Sequence, residues 1–127
     1  MPNSYPEQYR TKLIDTIAHI DTAKVQRAID QLAETRDAGR CIFVCGNGGS
    51  ASTASHFACD MVKGASYNRD KRFKIMALTD QMATITAYAN DVSYDLVFVE
   101  QLRNFAQKGD LLLAISGSGN SPNVLRA

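Results

Sequence analysis

Two short apolar runs, Cys41-Ile42-Phe43-Val44 and Leu111-Leu112-Leu113-Ala114-Ile115, each lead directly into a small, polar, glycine-rich loop. The loops are Cys45-Gly46-Asn47-Gly48-Gly49-Ser50 and Ser116-Gly117-Ser118-Gly119-Asn120-Ser121. Apolar runs of this length without alternation suit strands buried on both faces. Such strands need helices above and below them, which restricts the chain to a helix-covered, parallel sheet.

The intervening segments agree. Phe73–Leu78 reads as a further strand, and the polar stretch 64–72 before it as a loop. Ala51, Ala54, Phe57, Ala58, Met61 and Val62 give helical spacing from Ser50 to about Lys63. Thr79 or Asp80 can cap a helix through Tyr88, Ala89-Asn90-Asp91 reads as a break, and Leu96–Ala106 returns to helical spacing. Two helices precede the first strand. One carries Leu13, Ile14, Ile17 and Ile20. The other carries Val25, Ala28, Ile29, Leu32 and Ala33, with Asp21 or Thr22 as cap and Gly39 as terminator. They cannot both be crossover helices, so residues 1–39 are expected to form a helical hairpin and 40–127 the α/β domain. Packing of the hairpin on a neighbouring subunit and packing on its own sheet remain equal alternatives.

Composition narrows the classes of function. A net charge of +1 over 127 residues offers no field for nucleic acid, and the cluster Lys71-Arg72 with Lys74 is short enough to be a solvated loop. No apolar run approaches the roughly 20 residues of a membrane span, and the polar N-terminus does not read as a signal peptide. Three cysteines without framework spacing fit a reducing, cytoplasmic setting.

In a parallel sheet, ligands bind beyond the carboxyl ends of the strands, where both loops fall. Glycines let backbone amides approach a ligand, and helix starts offer unpaired N–H groups to an anion. Ser116, Ser118 and Ser121 add hydroxyls suited to phosphate oxygens. A Gly/Ser turn with an N-cap serine explains either loop alone, but less readily both. Neither loop has the lysine of a P-loop. Gly46 to Ala51 does match the relaxed dinucleotide fingerprint G-x-G-x-x-A, with Asp80 where a ribose-binding acid would sit. That reading leaves the second loop without a role. In the helix after the first loop, His56, Cys59 and Asp60 share one face. His56 and Asp60 could ligate zinc, Asp60 could be a general base oriented by His56, or the two could be a solvated i, i+4 pair.

The stretches Cys45–Phe57, Ala89-Asn90-Asp91 and Gly109–Val124 together resemble the sugar isomerase (SIS) domain family, and more narrowly its phosphoheptose isomerases. The resemblance implies a doubly wound, three-layer, flavodoxin-like α/β fold and homotetramers whose active sites draw on neighbouring chains. It also implies a phosphorylated sugar as ligand, aldose–ketose isomerisation of sedoheptulose 7-phosphate and no nucleotide cofactor. By position, Ser116, Gly117, Ser118 and Ser121 match the family's phosphate loop. Asn47, Gly48 and Ser50 match its sugar-side loop, and Asp91 matches an acid that contacts substrate hydroxyls. His56 matches a zinc ligand, and Asp60 falls where those isomerases place a glutamate that is both catalytic and metal-binding.

Two departures qualify the match. Aspartate is one methylene shorter than glutamate, about 1.5 Å, and misplacement on that scale can cost about a hundredfold in rate. The family also continues beyond this point into a helix that carries a glutamine and a histidine of the active site, so the chain is expected to be a fragment of a longer protein. The alternative reading is a non-catalytic SIS module that binds a sugar phosphate or a protein partner as a regulator.

Overall fold

The computed structural model describes residues 4–127; Met1–Asn3, part of the expected 1–39 segment, lie outside the described residues. The element order is α1 (Tyr5–Ala18), α2 (Thr22–Asp37), β1 (Cys41–Gly46), α3 (Gly49–Cys59) and β2 (Lys74–Ala77). It continues through α4 (Met82–Asp91), α5 (Val99–Phe105), β3 (Leu111–Ile115) and α6 (Pro122–Arg126). The chain divides into two compact units, 1–31 and 32–127.

In the first unit every described residue is exposed. Ser4 and Glu7 close a capping box at the start of α1: the Ser4 N–H donates to Glu7 Oε2 at 2.8 Å. Asp21 caps α2, its Oδ1 accepting from the N–H groups of Ala23 and Lys24 at 3.1 Å each. Tyr5, Tyr9, Leu13, Ile14 and Ile17 all stand in solvent along α1.

The second unit is a parallel three-stranded sheet in the order β2-β1-β3, with Phe43 opposite Met76 and Leu112. Burial of β1 on both faces explains its unbroken apolar run. One face carries Phe43 and Cys45, packed with Leu78, Val97, Phe98 and Val124. The other carries Ile42 and Val44, packed with Ala54 and flanked by Leu32, Phe57 and Phe73. Helices therefore cover both faces, as a doubly wound sheet requires. Fully burying a side chain such as Phe43 is worth about 1.5–3 kcal/mol. Burial also pushes the Cys45 thiol up to about 11, so it stays protonated at neutral pH.

Three boundaries differ from expectation. The helix after loop one changes at Asp60 into a π turn, Asp60–Gly64, closed by the Ala65 N–H on the Asp60 carbonyl at 2.8 Å. Buried Ser66 fixes its end, donating to the Met61 carbonyl at 2.6 Å and accepting from the Phe73 N–H at 3.0 Å. Ala89-Asn90-Asp91 continues α4 instead of breaking it, and the break comes at Val92-Ser93, where both N–H groups turn back to the Tyr88 carbonyl. The helix expected from Leu96 starts as a 3-10 turn, Tyr94–Leu96, whose cap Ser93 Oγ accepts from the Asp95 N–H.

Asp110 ties the start of β3 to the start of β1. Its carboxylate accepts from the Gln107 N–H at 2.8 Å and the Cys41 N–H at 2.9 Å. These bonds hold its carboxyl below the usual carboxylate range. A lowered folded-state pKa adds stability that is present above the unfolded-state value and is lost as pH falls through the folded-state value. Asp110→Asn is therefore expected to be less stable than the parent at neutral pH, with the gap closing as the pH is lowered below the carboxylate range. Urea denaturation at a series of pH values measures this, and a gap independent of pH would show that the charge does not matter.

Candidate functional site

Loop one springs from the end of β1 at Gly46, where there is no room for a side chain. A Cβ there would lie 2.8 Å from Ser50 Cβ and 2.9 Å from both the Ile115 carbonyl oxygen and the Ser50 carbonyl carbon. The close approach seats the first turn of α3 against the ends of two strands. Gly48 then takes φ +52°, a conformation open to glycine. The Asn47 carbonyl accepts from Ser50 at 2.9 Å and Ala51 at 3.3 Å. The N–H groups of Gly48 and Gly49 have no acceptor among the described residues.

Loop two gathers three hydroxyls. Ser116 Oγ lies 3.2 Å from Ser121 Oγ and 3.4 Å from Ser118 Oγ, and it accepts from the Gly119 N–H at 3.1 Å. Ser118 Oγ accepts from the Asn120 N–H at 3.2 Å. Ser121 occupies the N-cap position of α6, and its carbonyl takes the Val124 and Leu125 N–H groups at 3.0 Å each. Its side chain makes no capping bond, facing Ser116 instead. The N-cap explanation of this serine therefore fails, and its hydroxyl stays with the cluster. The N–H groups of Gly117 and Ser118 find no acceptor among the described residues. Hydroxyl protons rotate freely, so three serines beside two unpaired amides make a donor-rich cradle for a tetrahedral anion.

The loops are joined through an amide pair. Asn47 Nδ2 donates to Asn123 Oδ1 at 2.8 Å, and Asn123 Nδ2 donates back to Asn47 Oδ1 at 2.9 Å. The Tyr94 hydroxyl donates to the same Asn47 Oδ1 at 3.0 Å. Asn123 lies on α6 and is 1% exposed. Neither Asn123 nor Tyr94 was apparent from sequence. Their only signal is a polar residue beside Val124 on a short helix and a tyrosine at a turn.

The other candidate residues stand apart from the serines. His56 Nε2 on α3 and Asp60 Oδ2 at the start of the π turn are 3.4 Å apart and exposed, in a groove of about 390 Å³ shared with Ser52, Thr53 and Phe57. Two ligands of a tetrahedral zinc lie about 3.3 Å apart, so this spacing suits two corners of such a site. No cluster of three potential ligands exists among the described residues, so they do not complete a zinc site. Asp91 ends α4 and accepts from Asn90 Nδ2 at 2.7 Å. Among the described residues, no hydrogen bond or ion pair links Asp91, His56 or Asp60 to loop two. Asp80 accepts from the Ser55 hydroxyl of α3 through a short hydrogen bond, so its carboxylate is engaged within the protein.

The family model described as SIS domain matches residues 5–127. The chain belongs to the SIS domain family. It is 41% identical to a phosphoheptose isomerase of Alteromonas mediterranea over 125 residues, which is 98% of this chain and 61% of that protein. A phosphoheptose isomerase of Shewanella denitrificans is 38% identical, again over 98% of this chain and 62% of the relative. The fold is likewise that of solved phosphoheptose isomerases. One from Francisella tularensis superposes with a TM-score of 0.85 at 31% identity, covering 98% of this chain and 64% of that one. One from Neisseria gonorrhoeae gives 0.78 at 32% identity, covering 97% and 66%. This SIS chain thus spans about three fifths of the length of the curated relatives it matches.

Proposed function

We propose that this SIS domain binds a phosphorylated sugar and forms part of a phosphoheptose isomerase, which interconverts sedoheptulose 7-phosphate and the corresponding heptose 7-phosphate aldose. The observation that carries the reading is Ser121, whose hydroxyl leaves its capping position to join Ser116. In this reading Ser116, Ser118, Ser121 and the Gly117 amide hold the phosphate. Gly48, Ser50 and Asn47 face the sugar, and Asp91 serves its hydroxyls.

Isomerisation moves one proton between neighbouring carbons. A base takes the proton from C1 of the ketose, an enediol forms as the C2 oxygen gains a proton, and the same base returns a proton to C2 while O1 gives one up. Asp60 is the base in this scheme, with His56 beside its carboxylate at 3.4 Å. Zinc is part of the proposal, with His56 and Asp60 as two ligands and others supplied from outside the described residues; bound there it would polarise the substrate oxygens. No nucleotide cofactor is required, because no hydride leaves the substrate.

Self-association belongs to the same proposal. Five large apolar side chains exposed along α1 support a homo-oligomer, with a tetramer as the expected form. No helix among the described residues is long and apolar enough to cross a membrane. Three free thiols suit the cytoplasm.

Three measurements test this reading. Calorimetry with sedoheptulose 7-phosphate should find Ser118→Ala combined with Ser121→Ala weaker than the parent by about tenfold per hydroxyl, from about 1.5 kcal/mol for each hydrogen bond to a charged group. Equal affinity would remove the phosphate-loop assignment. In a chain of the relatives' full length, Asp60→Asn should abolish turnover while leaving sugar-phosphate affinity within a few-fold; an active Asp60→Asn protein would assign the base to another residue, and a full-length parent that binds the sugar phosphate without turnover would favour a non-catalytic, ligand-sensing module. Ile14→Glu with Ile17→Glu should reduce the sedimenting mass to that of a smaller species; an unchanged mass would place the interface elsewhere.

A further inference from the structure

The amide pair between Asn47 and Asn123 has a geometry that its sequence position does not suggest. Each side chain donates to and accepts from the other, at 2.8 and 2.9 Å, and the Tyr94 hydroxyl takes the second lone pair of Asn47 Oδ1. That oxygen is then saturated, because a carbonyl has two lone pairs. Asn47 keeps a single N–H free, so it can give a hydrogen bond to a sugar oxygen but cannot accept one from a sugar hydroxyl. Reversing the amide would set Nδ2 against Asn123 Nδ2 and leave two oxygens facing each other. The pair therefore couples the orientation of the Asn47 amide to that of buried Asn123.

We propose that Asn123 is a positioning residue, assisted by Tyr94, that locks the Asn47 amide in its donor orientation and thereby sets the sugar-side loop relative to the phosphate loop. The inference rests on the sugar-phosphate reading above. Asn123 lies two residues after Ser121, so one short helix carries both the end of the phosphate loop and the hold on the other loop.

The phosphate cradle does not depend on that hold. Val124 is packed in the core, Arg126 pairs with Asp95 at 3.7 Å, and the Ser121 carbonyl anchors the first turn of α6. The root of loop one is set separately by the close approach at Gly46. Loss of the Asn123 amide thus releases one side chain while both loops stay rooted. The effect falls on recognition of the sugar and spares recognition of the phosphate.

Two probes separate these effects. Calorimetry with inorganic phosphate reads the serine cradle, and calorimetry with sedoheptulose 7-phosphate reads both loops together. Asn123→Ala is expected to weaken the sugar phosphate about tenfold, the equivalent of one or two net hydrogen bonds, and to change inorganic phosphate by less than about twofold. Tyr94→Phe removes only the outer bond at an exposed residue. It should show the same selectivity with a smaller loss, which keeps the test available if Asn123→Ala folds poorly. Equal losses for both probes would make Asn123 a structural support of the phosphate loop and overturn the proposal. So would sugar-phosphate affinity that neither variant changes. A parent chain that binds inorganic phosphate but not sedoheptulose 7-phosphate would instead overturn the functional reading, and this inference with it.

Discussion

Burial of β1 on both faces is the constraint on which the rest depends. Its odd-numbered residues, Phe43 and Cys45, belong to one core and its even-numbered residues, Ile42 and Val44, to the other. A one-residue slip of its register would exchange the two sets and unseat both layers. Because the register is fixed, Gly46 lies opposite Ile115, and the two loops start side by side at the same sheet edge. The proximity of the candidate sugar and phosphate loops is thus a by-product of packing the strand between two helical layers.

The strands were legible because their cause is local. An unbroken apolar run bounded by turn residues has few alternatives, and 41–45 and 111–115 fall within a residue of the observed β1 and β3. The helix ends were less legible. Ala89-Asn90-Asp91 has the composition of a loop, yet the helix passes through it because its chain reversal is made later, on the Tyr88 carbonyl. The π turn at Asp60 had no visible sequence signal, since it depends on Ser66 bridging Met61 and Phe73. Where long-range hydrogen bonds decide the backbone path, periodicity says little.

The site divides along the same line. The serines come together because they are neighbours in sequence, and a motif can show that. Asn47 was read as a ligand-facing residue, but its partners Asn123 and Tyr94 lie 76 and 47 positions away and only the fold brings them to it. His56 and Asp60 meet because helical spacing places them together. No hydrogen bond or ion pair among the described residues joins them to the serines.

The Asn47 network also bears on the chemical ageing of the protein. Asn47 is followed by Gly48, the pairing in which the next backbone nitrogen is least shielded and can close on the side-chain amide to form a succinimide, which opens to aspartate or isoaspartate. That ring closure requires the amide to swing free and its nitrogen to leave. Here the amide is bound at its oxygen by two donors and at its nitrogen by a buried acceptor. The bonds that orient the loop thus also keep its most labile amide away from the attacking nitrogen.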